Sequence, residues 1–445
     1  MFHVNWASHR ALLVIALPMI LSNITVPLLG LVDTAVVGHL SDAYYLGGVA
    51  VGSTIISFIF SLAGFLRMAT TGVTAQACGS GSAKLQLEAL VHGVCIALGI
   101  AFILLLVRPL IGHYGLMFSG GSDDVLHYGQ VYFDIRIFSA PAALTNLVLL
   151  GWMLGMQNAK GPMWHLIFTN CINIALDVWF VYGLDMDVAG VAWASVIADY
   201  SGVAIGGYFV VRIMQKHGIV VDIDALKFWQ QWQALKPLLL INRDIFLRAL
   251  CLSLCIAFMT FQGAKLGDDI VAANAILMSF LMLVSFVLDG VAYAVEALVG
   301  KAYGNKDKAG LKQAVVDASM WSLVVGLFFT LLFVVWGDVL IGFMSDIEVV
   351  QITALEYLPW MMALPLISVW CFLLDGVCIG LTRAKDMRDS TFFAALLGFI
   401  LPWAIAHYGF ELANHSLWLA MCGLMALRGL FLYYRLFLKK SIALW

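Results

Sequence analysis

The chain is a succession of apolar stretches, each about twenty residues or longer and so able to cross the hydrocarbon core of a bilayer as a helix. Twelve such spans are expected, over about 11–37, 46–77, 87–107, 127–151, 162–182, 189–212, 239–262, 270–300, 313–336, 351–376, 390–409 and 416–437. Lipid leaves such a chain few folds, because backbone N–H and C=O groups find no water there and must pair inside helices or a closed barrel. Runs this long select helices, so the expected fold class is all-α integral membrane. Charge agrees. Only 11% of the 445 residues are Asp, Glu, Lys or Arg, against about 25% in a typical soluble domain, and the mean hydropathy is +0.96. A water-soluble enzyme is excluded. A net charge of −3 argues against a nucleic-acid partner, since phosphate binding needs concentrated Lys and Arg. The eight cysteines sit in or beside apolar runs without CxxC spacing, as small buried residues do.

Lys and Arg give an orientation. With the N-terminus inside, the cytoplasmic segments hold 17 basic residues, the opposite loops hold Arg108 and Lys265, and five more lie in or near spans. Both termini are therefore expected to be cytoplasmic. The first apolar stretch is too long for a cleaved signal and carries Pro18, Pro27 and an acid. The longest connection, 213–238, contains DIDALKFWQQWQALKP, in which Leu226, Trp229, Trp232 and Leu235 recur at helical spacing. An amphipathic linker in the inner headgroup layer is expected there.

The second half repeats the first. Tyr132, Gly151, Gly155, Ala159 and Lys160 reappear 225 positions later as Tyr357, Gly376, Gly380, Ala384 and Lys385; Gly64 answers Gly290 at 226. Six spans per half give both halves one orientation, so the expected organisation is a six-helix lobe over 1–212, the linker over 213–238 and a second lobe over 239–445. Duplicated bundles of this kind bind cargo between the repeats and open to each side in turn. The GxxxG pairs Gly151/Gly155 and Gly376/Gly380 are read as helix-packing positions.

Acids inside the membrane require an explanation, because a charge at the bilayer centre costs about 2.5–3.5 kcal/mol on insertion scales. Asp33 ends the first span and Asp177 the fifth, at nearly equal depth in the outer leaflet half. Asn170, Asn173 and Asp177 have the i, i+3, i+7 spacing of one helical stripe, and Ser195 and Asp199 share a face of the sixth span. Spans one, five and six can thus assemble a polar pocket. Two carboxylates in low dielectric cannot both ionise cheaply, so the pocket suits H⁺; its amide and hydroxyl oxygens equally suit Na⁺. Pro27 removes a backbone hydrogen bond six residues before Asp33 and offers a kink point. The second half has Asp289 and Glu296, seven apart on one face, and Asp375; Arg67 and Arg136 stand ready to neutralise acids in the first half. No Walker loop, HExxH or nucleophile elbow occurs, and the histidines form no ligand cluster, so no catalytic residue, resident metal or cofactor is expected.

LVDTAVVGHL (31–40), YLGGVAVG (45–52), NIALDVWFVYGL (173–184) and VAGVAWASVIADY (188–200) resemble the multidrug and toxic compound extrusion (MATE) transporters. PMILSNITVPLLGLVDTAVVGHL, LRMATTGVTAQA and APAALTNLVLLGWMLGMQ resemble the family's bacterial DinF-like branch. The resemblance implies two six-helix lobes forming a V in a bacterial inner membrane. It also implies efflux of amphipathic or cationic organic compounds by antiport against H⁺ or Na⁺. The family's cation site falls on Asp33, Asn173 and Asp177, with Ser195 as the sixth-helix hydroxyl, and protonation-linked bending of the first helix suits Pro27. The branch with second-lobe cation acids has a pattern to which Asp375 is not securely matched. Drug-like small molecules and membrane lipid are the expected partners, with no obligate protein partner. Three other readings stand beside this one. A lipid-linked saccharide flippase of related architecture needs a strongly basic cleft; an intramembrane transferase needs a convergent catalytic set; a channel gives sustained single-channel current.

Overall fold

The computed structural model describes residues 6–38, 43–117, 119, 122–220 and 232–439; the side chains of 26–35, 37, 38, 43 and 232–234, Pro27 and Asp33 among them, lie outside that description. Among the described residues, twelve helices are long and apolar enough to span a membrane. They are α1 (Trp6–Gly38), α2 (Tyr44–Ser80), α3 (Ala83–Met117), α4 (Asp123–Gly155), α5 (Lys160–Gly183) and α6 (Asp187–His217). The second half supplies α7 (Trp232–Leu266), α8 (Asp268–Gly304), α9 (Lys308–Met344), α10 (Glu348–Gly380), α11 (Ala384–Gly409) and α12 (Ala413–Leu438). Each expected span corresponds to one of these. Large apolar side chains such as Phe102, Leu106 and Leu331 are well exposed on the helices, which is the surface a lipid solvent requires. The expected amphipathic element lies mostly outside the described residues, and Trp232 already belongs to α7.

Two compact units emerge, Leu21–Leu238 and Met1–Ile20 with Leu239–Trp445. This differs from the expected 1–212 lobe, because the first part of α1 belongs with the second half. The reason is local packing. A Cβ on Gly290 of α8 would lie 3.0 Å from the backbone nitrogen of Ile20, so only glycine lets the two helices meet. Nearer its start, α1 places the buried His9 Nε2 3.6 Å from Asp317 of α9, whose carboxylate also accepts from Gln313 at 2.7 Å.

The sequence repeat is written in the backbone. After α4, the N–H of Asn158 donates to the carbonyl of Met153 (3.0 Å); after α10, Arg383 donates to Cys378 (2.7 Å), 225 positions on. The preceding residues, Gln157 and Thr382, both have positive φ. After α5, Met186 donates to Phe180 (3.0 Å), and after α11 Leu412 donates to Ala406 (3.0 Å), now 226 positions on. The one-residue step falls where α11 widens into a π-turn at Ala395–Ile400, the i→i+5 geometry by which a helix absorbs an extra residue. The GxxxG pairs make the same contact in each unit: a Cβ at Gly155 would come 2.8 Å from the carbonyl of Thr71, and one at Gly380 2.8 Å from that of Glu296.

Candidate functional site

In the unit Leu21–Leu238, α1 and α5 run side by side and in the same direction. Asn170 Nδ2 donates to Thr25 Oγ1 (3.0 Å), and the Tyr182 hydroxyl donates to the Val36 carbonyl (2.9 Å). These contacts bracket both acids, Asp33 between Thr25 and Val36, Asp177 between Asn170 and Tyr182. The two therefore stand at similar depth, although the Asp33 side chain and Pro27 fall outside the described residues. Asp177 is 0% exposed and Asn173 2%, and Asn173 Nδ2 donates to Ser195 Oγ on α6 (3.2 Å). The structure thus brings Asn173, Asp177 and Ser195 into one water-shielded place beside the helix that carries Asp33.

Two expected members lie elsewhere. Asn170 belongs to the α1 contact instead of the stripe of Asn173, because a three-residue step turns it to the helix's edge. Asp199 is held by Arg136 of α4 at 2.7 Å, and Arg136 also donates to Ser139. An acid neutralised by guanidinium is a counter-ion, so Asp199 stands apart from Asn173, Asp177 and Ser195. Two residues that the motifs do not single out, His165 and Thr169, continue the file of Asn173 and Asp177 toward the start of α5 at four-residue steps. His165 Nδ1, Thr169 Oγ1, Asn173 Oδ1 and, from α4, Asn146 Oδ1 are buried without a protein hydrogen-bond partner among the described residues. Buried polar atoms of this kind call for water or an ion. Gly202 and Gly206 on α6 make the space: a Cβ at Gly202 would lie 2.9 Å from Thr169 Oγ1, and one at Gly206 2.8 Å from His165 Nδ1. The signal for the file is present in the i, i+4 spacing counted back from Asp177.

In the other unit, Asp375 of α10 is clamped by Arg248 of α7 and by Arg428 of α12, whose Nη2 lies 2.5 Å from Asp375 Oδ2. Arg428 is 2% exposed. Asp289 lines a chamber of about 430 Å³ beside these arginines. Glu296, seven residues further along α8, is buried at the packing contact with α10 and does not line that chamber.

A MatE family profile matches residues 18–179 and again 245–404, once in each half. The chain belongs to the MatE family. These are the multidrug and toxic compound extrusion proteins that its motifs resemble, and MatE proteins are transporters, not enzymes. It is 47% identical to the DNA damage-inducible protein F of Escherichia coli K12 over 95% of this chain and 91% of that protein. It is 22% identical to the probable multidrug resistance protein NorM of Rhizobium meliloti, over 90% and 88%. Among solved structures, a MATE protein in complex with MaD3S aligns with a TM-score of 0.84 at 18% identity over 97% of this chain and 96% of that one. An outward-facing multidrug resistance MATE family transporter aligns at 0.83 and 17%, over 97% and 96%. These likenesses establish the MatE fold for this chain.

Proposed function

We propose that this MatE protein is a secondary active antiporter of a bacterial inner membrane that exports amphipathic or cationic organic compounds in exchange for H⁺, with Na⁺ as the alternative ion. Asp33, Asn173, Asp177 and Ser195 hold the ion. The observation that carries this reading is the fully buried Asp177 beside Asn173 and Ser195, on a helix fastened to the Asp33 helix above and below the acids. An ionised carboxylate there is costly unless a proton or cation accompanies it. Coupling follows if the two arrangements of the transporter hold the ion with different affinity, since a ligand shifts an equilibrium only by its differential binding. With 17 basic residues on one side and two on the other, both termini face the cytoplasm. The relatives named above as a multidrug resistance protein and a multidrug transporter favour efflux over lipid-linked saccharide flipping.

The test is transport by purified protein in liposomes under an imposed pH or Na⁺ gradient, read as movement of a cationic dye. A pH gradient drives dye out through the wild type and leaves it static with Asp33→Asn, the variant remaining folded and membrane-inserted. Dye movement by Asp33→Asn at the wild-type rate refutes the site; movement driven by Na⁺ alone assigns the other ion.

A further inference from the structure

The chamber in the Leu239–Trp445 unit runs beside α7 from Arg248 to Gly263, about 22 Å at 1.5 Å per residue. Its walls are mostly apolar, with Leu252, Met259, Met278 and Phe286 among them, and the charged groups Arg248, Arg428 and Asp289 also line it. The amide of Asn274 is already satisfied, exchanging bonds with Asn414 (2.8 and 2.9 Å) and accepting from Trp418 Nε1 (2.9 Å). The guanidinium groups are not. Both donate to one oxygen, Asp375 Oδ2, and among the described residues Arg428 donates besides to Met425 Sδ alone (3.4 Å). The Nε–H groups of both arginines have no acceptor among the described residues. A guanidinium is a planar fork of donors suited to two-point binding of carboxylate, sulfonate or phosphate, and one shared oxygen leaves most of each fork unused.

We propose that this chamber is a binding site for amphiphiles with an anionic head, the head seated on Arg248 and Arg428 and the apolar body lying along the methionine- and phenylalanine-lined wall. Asp375 holds the two guanidinium groups together from behind. Asp289, the acid that faces the chamber, opposes the incoming anion and sets its affinity. The site is distinct from the proposed ion site around Asp177 and is tested by binding alone, so its fate is independent of the ion-coupling reading.

The experiment uses full-length protein in phosphatidylcholine nanodiscs with a dansyl-labelled undecanoate, and the matching dansyl-labelled undecylamine as a probe of the same body and opposite head. The wild type binds the carboxylate at least about tenfold more tightly than the amine, and Arg248→Gln removes that preference, as loss of a charge-assisted pair requires. Because Arg248→Gln also disturbs Asp375, two further variants keep the test decisive. Ala275→Trp, at an exposed lining position, blocks both probes by filling the chamber, and Asp289→Asn tightens the carboxylate several-fold. Repeating the titration with phosphatidylglycerol in the disc separates sources: competition identifies an anionic lipid as occupant, and its absence identifies a free amphiphile. Equal affinity for the two heads, indifference to Ala275→Trp, or weaker carboxylate binding by Asp289→Asn overturns the proposal.

Discussion

The two units share a backbone plan and place their charges differently. In Leu21–Leu238 the polar cluster is Asn173, Asp177 and Ser195, beside the helix that carries Asp33; 226 positions on from Asp33 and these three, the chain has Met259, Phe399, Trp403 and Met421, all buried in one hydrophobic core. The reverse holds for the second unit. Its Arg248, Asp289 and Arg428 answer to Ser22, Ala63 and Gly202 in the first, and Asp375 answers to Leu150 at 225. The contrast extends to the Arg136–Asp199 pair, whose counterparts are Met361 and Met425. Duplication preserved the helices, the GxxxG contacts and the turns, where a changed residue breaks packing. The chemistry diverged at other positions, with changes of side-chain size as large as Gly202 against Arg428 and Asp177 against Trp403. One unit buries its acid beside an amide and a hydroxyl, as suits an exchangeable ion. The other buries its acid against two arginines, as suits a fixed counter-ion.

Swapping one acid in each unit tests that contrast most directly. Asp177→Asn is expected to abolish ion-driven efflux, by about a hundredfold or more, in the range of losing an electrostatic group essential to a cycle, while thermal unfolding in detergent stays near wild type. Asp375→Asn should do the opposite first: leaving two buried guanidinium groups without their anion costs about 3–5 kcal/mol, seen as a large fall in unfolding temperature and expression. If Asp375→Asn is stable and Asp177→Asn unfolds, the assignment of roles is reversed. Next in size, Gly155→Val and Gly380→Val should each destabilise by about 1–3 kcal/mol or more, and by similar amounts, because each adds bulk against a facing backbone carbonyl. Markedly unequal losses would show that the repeat does not carry equal packing. A double-mutant cycle of Arg136→Gln and Asp199→Asn should return a coupling of about 0.5–3 kcal/mol in unfolding free energy; zero coupling would free Asp199 to join the ion site. The smallest effect belongs to His9→Leu, which removes a buried neighbour of Asp317 at 3.6 Å while the bond from Gln313 remains; it is expected to cost about 0.5 kcal/mol, read by the same unfolding assay.

Much of this is legible in the amino-acid sequence. The twelve spans follow from runs of apolar residues, and the repeat from glycines at fixed offsets, because both signals are local. The pairing of Asn173 with Ser195 is within reach of spacing rules, since each lies on the expected face of its own helix. The rules fail where the partner is remote. Arg136 is 63 positions from Asp199, Arg248 127 from Asp375 and Arg428 53 from it, and no periodicity connects residues on different helices. His165 and Thr169 escape notice for a milder reason: each reads as an ordinary polar residue until Gly202 and Gly206 are seen to pack against them.

The sequence by itself determined that this is a twelve-helix membrane protein of duplicated plan, since the cost of exposing backbone to lipid is incurred stretch by stretch and needs no partner. Only the tertiary structure decided which buried acid is already neutralised and which stands among amide and hydroxyl groups. Charge compensation in a low-dielectric interior acts over a few ångströms of space, whatever the distance along the chain.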